Sequence, residues 1–341
     1  MRSPVREQIS TPESHEQVAA MTSPWAARRW LPRLLGPLIL GIILWRLDLG
    51  SIAAALERVW IPALAGACLV VLPAFPLRSW RWRILLESQG TKLGIFEALN
   101  AYAFSIVVGS ATPGRLGEFV KIAYLRQRRV PTTVAVLTVG LDRMLDVLFL
   151  VVVGAAALAA FAGGRTRTVV LLALVVTAGV CAAALRYAVS SHGRRTAERF
   201  LALLVPERWS QRLLAALETL FERVKALPRS TLATVGFLTA LAWIATYLSV
   251  YLCALALGFE IPFLDMCGVT AVSSLVSFLP ISILGLGTRE VSLIALLAPY
   301  GISATGAVAL SALHLSIILW GVLVCSYSLV TPAASFWKQG S

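Results

Sequence analysis

Apolar stretches long enough to cross a bilayer recur along this chain, and two of them are interrupted near their middle by proline and glycine. A run of roughly 20 apolar residues spans the hydrocarbon core as a helix. Inside that core every backbone polar group must be satisfied by the protein itself. An all-α integral membrane protein meets this requirement. Six stretches read as spans: 34–56, 62–86, 134–162, 168–188, 232–257 and 304–330. The apolar part of the first, 34–45, is too short to cross alone, so it spans only if Arg46 snorkels and the helix runs on. Composition agrees. Of the 341 residues 58% are hydrophobic and 14% charged, against about 25% charged in soluble domains. A soluble enzyme and a disordered chain are both excluded.

The two interrupted stretches are 96–125, broken by Gly109, Pro113, Gly114 and Gly117, and 263–297, broken by Pro280, Gly285 and Gly287. Neither arm of either stretch is comfortably long enough to cross. Broken apolar segments in matching places point to re-entrant hairpins beside a binding site. The alternative is a pair of ordinary spans kinked at proline. The expected fold is therefore about six transmembrane helices plus two re-entrant helical hairpins.

The halves repeat. The separation of Glu118 from Glu290 equals that of Asp142 from His314. Each half runs from an apolar span to a broken segment with glycine, arginine and glutamate, then to a span with a polar residue inside. The halves lie at about 62–162 and 232–330, joined by a basic segment at 186–229. An odd number of spans between equivalent helices inverts the second copy. Such inverted repeats carry substrate near the bilayer midplane.

Charge sets the orientation. Lysine and arginine number 30 and aspartate and glutamate 17, a net charge of +13. In a membrane protein this excess reads first as topology and lipid contact. With the polar tail 1–33 and the tail 331–341 in the cytoplasm, most of the lysines and arginines fall on the inner side. Only Arg46, Arg58, Arg165, Arg167 and Arg289 fall on the outer side. The expected location is the inner, cytoplasmic membrane, multi-pass, with both termini inside. Segment 186–229 is rich in lysine and arginine and has leucines at helical spacing, which suits an amphipathic helix on an anionic lipid surface.

The sharpest motif is Thr112, Pro113, Gly114, Arg115, Leu116, Gly117, Glu118, with Lys121 beyond it. Proline and glycine break a helix, and the restarted helix offers free N–H groups to an anion. Arg115 suits bidentate phosphate contact, and Lys121 adds a point charge. Glu118, at i+3 from Arg115, is placed to hold it when the site is empty. The structural alternative is a capped interfacial helix. Asp142, Arg143 and Asp146 interrupt a span, where charges must face protein or water. Arg143 either neutralises an acid from a hairpin or binds phosphate itself; a buried salt-bridge cluster is the plainer reading. Arg289 and Glu290 repeat the first motif's logic from the other face. Arg78, Trp80, Arg81 and Trp82 read as an interfacial belt, with Arg81 as a cavity candidate. His314 is either a structural histidine or a proton-coupling group.

No Walker A, GxSxG or HExxH motif occurs, and the five cysteines form no CxxC pair. No catalytic residue, metal or cofactor is expected.

These residues resemble the lysylphosphatidylglycerol synthase/flippase transmembrane-domain family. The resemblance rests on Arg81 with Trp82; on Pro113, Gly114, Arg115, Leu116, Gly117 and Glu118 with Lys121; and on Asp142 with Arg143. In the second half it rests on Leu279, Pro280, Ile281 and Ser282, then Gly285, Leu286, Gly287, Arg289 and Glu290. It covers about 34–330. Two positions depart from the pattern: Leu284 stands where the family often has glycine, and His314 where a basic or polar residue is common. The resemblance implies movement of lipids with charged or sugar-bearing headgroups between leaflets. With so short a tail after Val330, a stand-alone member without the aminoacyl-transferase domain is expected. The implied partners are a phospholipid or polyprenyl-phosphate glycolipid, and a second copy or a lipid-synthesising enzyme; nucleic acid is not expected. The competing functions are a membrane transferase on a polyprenyl-phosphate lipid and a non-transporting partner of a glycosyltransferase.

Overall fold

The computed structural model describes residues 41, 45, 49–161, 222, 223, 226–278, 282 and 284–329. Among them regular structure is entirely helical. The polar tails, the expected span at 168–188, Pro280 and nearly all of the basic segment 186–229 lie outside the described residues.

In chain order the helices are α1 Leu49–Glu57, α2 Ile61–Val70, α3 Ala74–Ser88, α4 Ile95–Ser110, α5 Val120–Gln127, α6 Thr132–Phe161, α7 Arg229–Ala256, α8 Phe263–Ser277, α9 Thr288–Leu297 and α10 Ala304–Cys325. A 3-10 segment, Pro113–Phe119, joins α4 to α5. Proline shapes the first pair: Pro62 opens α2, where its missing N–H costs nothing, and Pro73 sits at the turn into α3. Among the described residues three helical stretches are long and apolar enough to cross a membrane: Ile61–Ser88, Arg229–Ala256 and Ala304–Ser328. The expected span at 134–162 is the 30-residue α6, which carries Asp142, Arg143 and Asp146. The two interrupted stretches form short apolar helices, Ile95–Ser110 and Phe263–Ser277.

The repeat is visible in the element order. A 28-residue helical stretch opens each half, Ile61–Ser88 in the first and Arg229–Ala256 in the second. A short helix, a break, a second short helix and a long helix follow in each. The long helices begin at Thr132 and Ala304, the same separation as that of Glu118 from Glu290.

Three apolar clusters hold the bundle. One joins α3, α4, α5 and α6 around Trp82, Tyr102 and Leu125. Another joins α2, α7, α8, α9 and α10 around Met266, Leu297 and Leu310. The third, with Leu150, Trp243, Tyr247 and Ala271, ties α6 to α7 and α8 and so joins the halves. Helix α6 crosses α8 at Gly154, where an added Cβ would stand 3.2 Å from Val272. Small residues at crossings are how helices associate where solvent gives no hydrophobic drive. The outer surface is apolar, with Ile61, Leu69, Phe237, Ile244 and Leu323 exposed, as a lipid-facing surface requires.

Candidate functional site

The break in the first half is built by close contact. Thr112 is extended, donates its hydroxyl to the Gly109 carbonyl at 2.9 Å and accepts from the Gly117 N–H at 2.6 Å. A Cβ on Gly117 would lie 2.5 Å from the Val108 carbonyl oxygen, so only glycine lets the chain return against the end of α4. Arg115 takes a left-handed φ of 57°, sterically costly for a residue with a Cβ. The second break has the same character. Leu284, Gly285 and Gly287 have φ values of 55°, 75° and 83°. A Cβ on Gly285 would lie 2.6 Å from Ser277 Oγ at the end of α8. In both halves the second arm folds back on the first.

The restarted helices cap several of their leading N–H groups locally. In the first, Gly117 N donates to Thr112. In the second, Gly287 N donates to Glu290 Oε2 at 2.5 Å and Arg289 N to the Gly285 carbonyl at 2.9 Å. Local capping occupies these donors.

Six ionised side chains cluster against α6. Arg81 from α3 is fully buried and reaches Asp142 at 2.6 Å, Asp146 at 2.8 Å and the Thr239 hydroxyl at 3.0 Å. Lys121 is also fully buried; it bonds Asp142 at 2.9 Å and stands 4.1 Å from the Tyr102 ring centroid. Arg143 pairs with Glu118 at 2.9 Å and with Asp142 and Asp146 at 3.3 Å. Trp243 donates its indole N–H to Asp146 at 3.1 Å. Three cations and three carboxylates balance, which is what burial of charge demands. In the second half Arg289 reaches Ser311 at 2.7 Å and Glu290 at 3.3 Å, and Ser311 also donates to Glu290.

Between the halves lies a cavity of about 110 Å³. Its wall includes Arg115, Glu118, Arg143 and Asp146 from the first half, and Gly285, Arg289 and His314 from the second. Two hairpins and two long helices thus converge on one space, room for several waters. The family model for the lysylphosphatidylglycerol synthase TM region matches residues 33–326. The chain belongs to this family. Among curated proteins none matches the chain. Family and helices together make it a membrane protein, and the family ties it to membrane lipid.

Within this lysylphosphatidylglycerol synthase-type domain the site residues divide. Arg81, Lys121 and Asp142 stand behind the cavity wall, where their charges are occupied by one another. Lys121 therefore supplies no point charge to the cavity; its short reach from α5 ends on Asp142. Glu118 is closer to Arg143, 2.9 Å, than to Arg115, 3.9 Å, so Arg143 is its main partner and Arg115 stays 34% exposed. Glu290 and Gly287 serve the α9 cap behind Arg289. Gly117 shapes the break, where it packs against the Val108 carbonyl.

Arg78 is the residue that the sequence reading placed elsewhere. The expected belt splits: Trp80 is half exposed, whereas Arg81 and Trp82 are buried and Arg78 lines the cavity. Positions 78, 81, 82 and 85 share a helix face, and that face points inward. The readable signal was this stripe of arginines at i and i+3. Ser273, Ser274 and Ser277, polar residues in an otherwise apolar stretch, also line the wall. Leu284, where the family often has glycine, holds a positive φ, which gives the physical reason glycine suits that position.

Proposed function

We propose that this protein moves an anionic, phosphate-bearing lipid between the leaflets of the cytoplasmic membrane. The headgroup passes through the cavity while the tails stay in the bilayer. The observation that carries this reading is the meeting of Arg115 from the first hairpin and Arg289 from the second on one cavity, joined there by Arg78 and Arg143. Guanidinium groups suit phosphate because their planar donors match its oxygens. Two arms per hairpin, each too short to cross, suit entry from opposite faces. That arrangement, with six spans and both termini in the cytoplasm, makes the cavity accessible from either side in turn.

The chain's role in this reading is transport without chemical change. Purified protein in liposomes with a headgroup-labelled phosphatidylglycerol tests it. The expected result is label crossing between leaflets with the lipid chemically intact, and crossing slowed at least about tenfold by Arg115→Ala. Chemical conversion of the lipid supports a transferase instead. Neither crossing nor conversion supports a non-transporting partner role. An Arg115→Ala protein that moves lipid at the wild-type rate removes the site assignment.

A further inference from the structure

We infer that the cavity selects headgroups of net negative charge and excludes those carrying an ammonium group, and that Arg78 sets this selection. The inference rests on the translocation reading of the same cavity and narrows its substrate class. Four guanidinium groups line the wall, from Arg78, Arg115, Arg143 and Arg289, against two carboxylates, Glu118 and Asp146. Both carboxylates are already engaged: Glu118 by Arg143 at 2.9 Å, Asp146 by Arg81 at 2.8 Å and by the Trp243 indole at 3.1 Å. Arg289 is answered by Glu290. Arg78 and Arg115 are left in excess. An ammonium group entering this space meets two cations and no free carboxylate, and like charges in a desolvated site repel strongly.

The same wall is short of acceptors. Arg78 gives one terminal nitrogen to the Thr246 hydroxyl at 3.2 Å and lies 4.9 Å from the Trp243 ring centroid. Its Nε is buried with no hydrogen-bond partner among the described residues, and so is the Nε of Arg143. Buried donors without acceptors are costly and rare. Here both belong to residues of one cavity wall, whose guanidinium groups outnumber its carboxylates, so an anion brings the acceptors that the wall lacks. Of the wall serines, Ser110, Ser273 and Ser277 give their hydroxyl hydrogens to their own helices. The family takes its description from a lysine-bearing lipid, whose headgroup has the opposite sign from the one this cavity is built for.

Two lipids separate the cases because they differ only by a lysyl ester: phosphatidylglycerol and lysylphosphatidylglycerol. Full-length protein is reconstituted in vesicles of each at trace level in phosphatidylcholine. Binding is read by native mass spectrometry and leaflet crossing by headgroup labelling. The expected result is binding of phosphatidylglycerol about tenfold or more over the lysyl lipid, with crossing in the same order. Arg78→Glu is expected to remove or reverse the preference. Should that variant not fold, Arg78→Gln is expected to shrink the preference at least about threefold, while Arg78→Lys keeps it.

Equal binding of the two lipids, preference for the lysyl lipid, or binding of neither overturns the inference. So does an unchanged preference in Arg78→Gln. Inorganic phosphate bound by the micellar protein while phosphatidylglycerol is not makes this a site for a soluble anion, which also overturns it. Selective binding without crossing upholds charge selection and removes translocation. Crossing without selection does the reverse.

Discussion

The two hairpins share a plan but are secured differently. In the first, Glu118 reaches across to Arg143 on α6, and Lys121 reaches Asp142 on the same helix. In the second, Glu290 turns back on its own helix start at Gly287 and on its neighbour Arg289, with Ser311 of α10 as the one hydroxyl bridge. The cause sits at two neighbouring positions on the long helices, where Asp142 and Arg143 in the first stand in place of His314 and Leu315 in the second. Asp142 gives the first long helix a fixed negative charge, and His314 gives the second none at the matching place. One hairpin is bolted to its long helix by ion pairs, whereas the other meets its helix mainly through apolar packing and one serine. A repeat thus supplies the framework, and the charged pair on the first long helix sets how firmly its arm is held.

The comparison breaks most readily at Asp142. Asp142→Ala leaves buried Lys121 without its carboxylate and Arg81 with Asp146 alone. About 3–5 kcal/mol of stability is expected to be lost, read as a large fall in thermal midpoint or in folded yield from membranes. A stable Asp142→Ala protein would show that the first hairpin is not held by charge. Glu290→Gln is milder, because its bonds are local: about 2 kcal/mol, from weakened charged hydrogen bonds to Gly287, Arg289 and Ser311, checked by the same melting curve. If the two losses are equal, the asymmetry drawn here is absent. Leu284→Gly sharpens the picture in the opposite direction. Removing a Cβ from a left-handed backbone is expected to offset its own entropy cost and stabilise the second break by up to about 1 kcal/mol. Smallest is Glu87→Ala, which removes a half-exposed i, i+4 pair with Arg83, 2.7 Å long; the expected change is under about 0.5 kcal/mol. A larger effect there would mean that surface charge, not the buried cluster, organises this end of the bundle.

Much of the plan could be read in the sequence because it rests on local rules. Proline and glycine mark the breaks wherever they fall, and the equal spacing of the paired positions needs no knowledge of packing. Arg115 and Arg289 were legible for the same reason, each standing beside a break. Lys121 was not, since its capture depends on Asp142 and Tyr102, which come from two other helices. Arg78 was missed because an arginine near a helix end looks the same in sequence whether it faces headgroups or the interior. The fate of the leading N–H groups also escaped, because Thr112 and Glu290 cap at distances that only the folded turn defines.

Arg81 has a consequence for motion. One guanidinium from α3 grips two carboxylates on α6 and a hydroxyl on α7, with no solvent contact. Prising those three helices apart would strand a bare charge in hydrocarbon, so they travel as a unit. Any rearrangement about the cavity falls to the remaining pieces, swinging about this pivot like a door on a single fixed post.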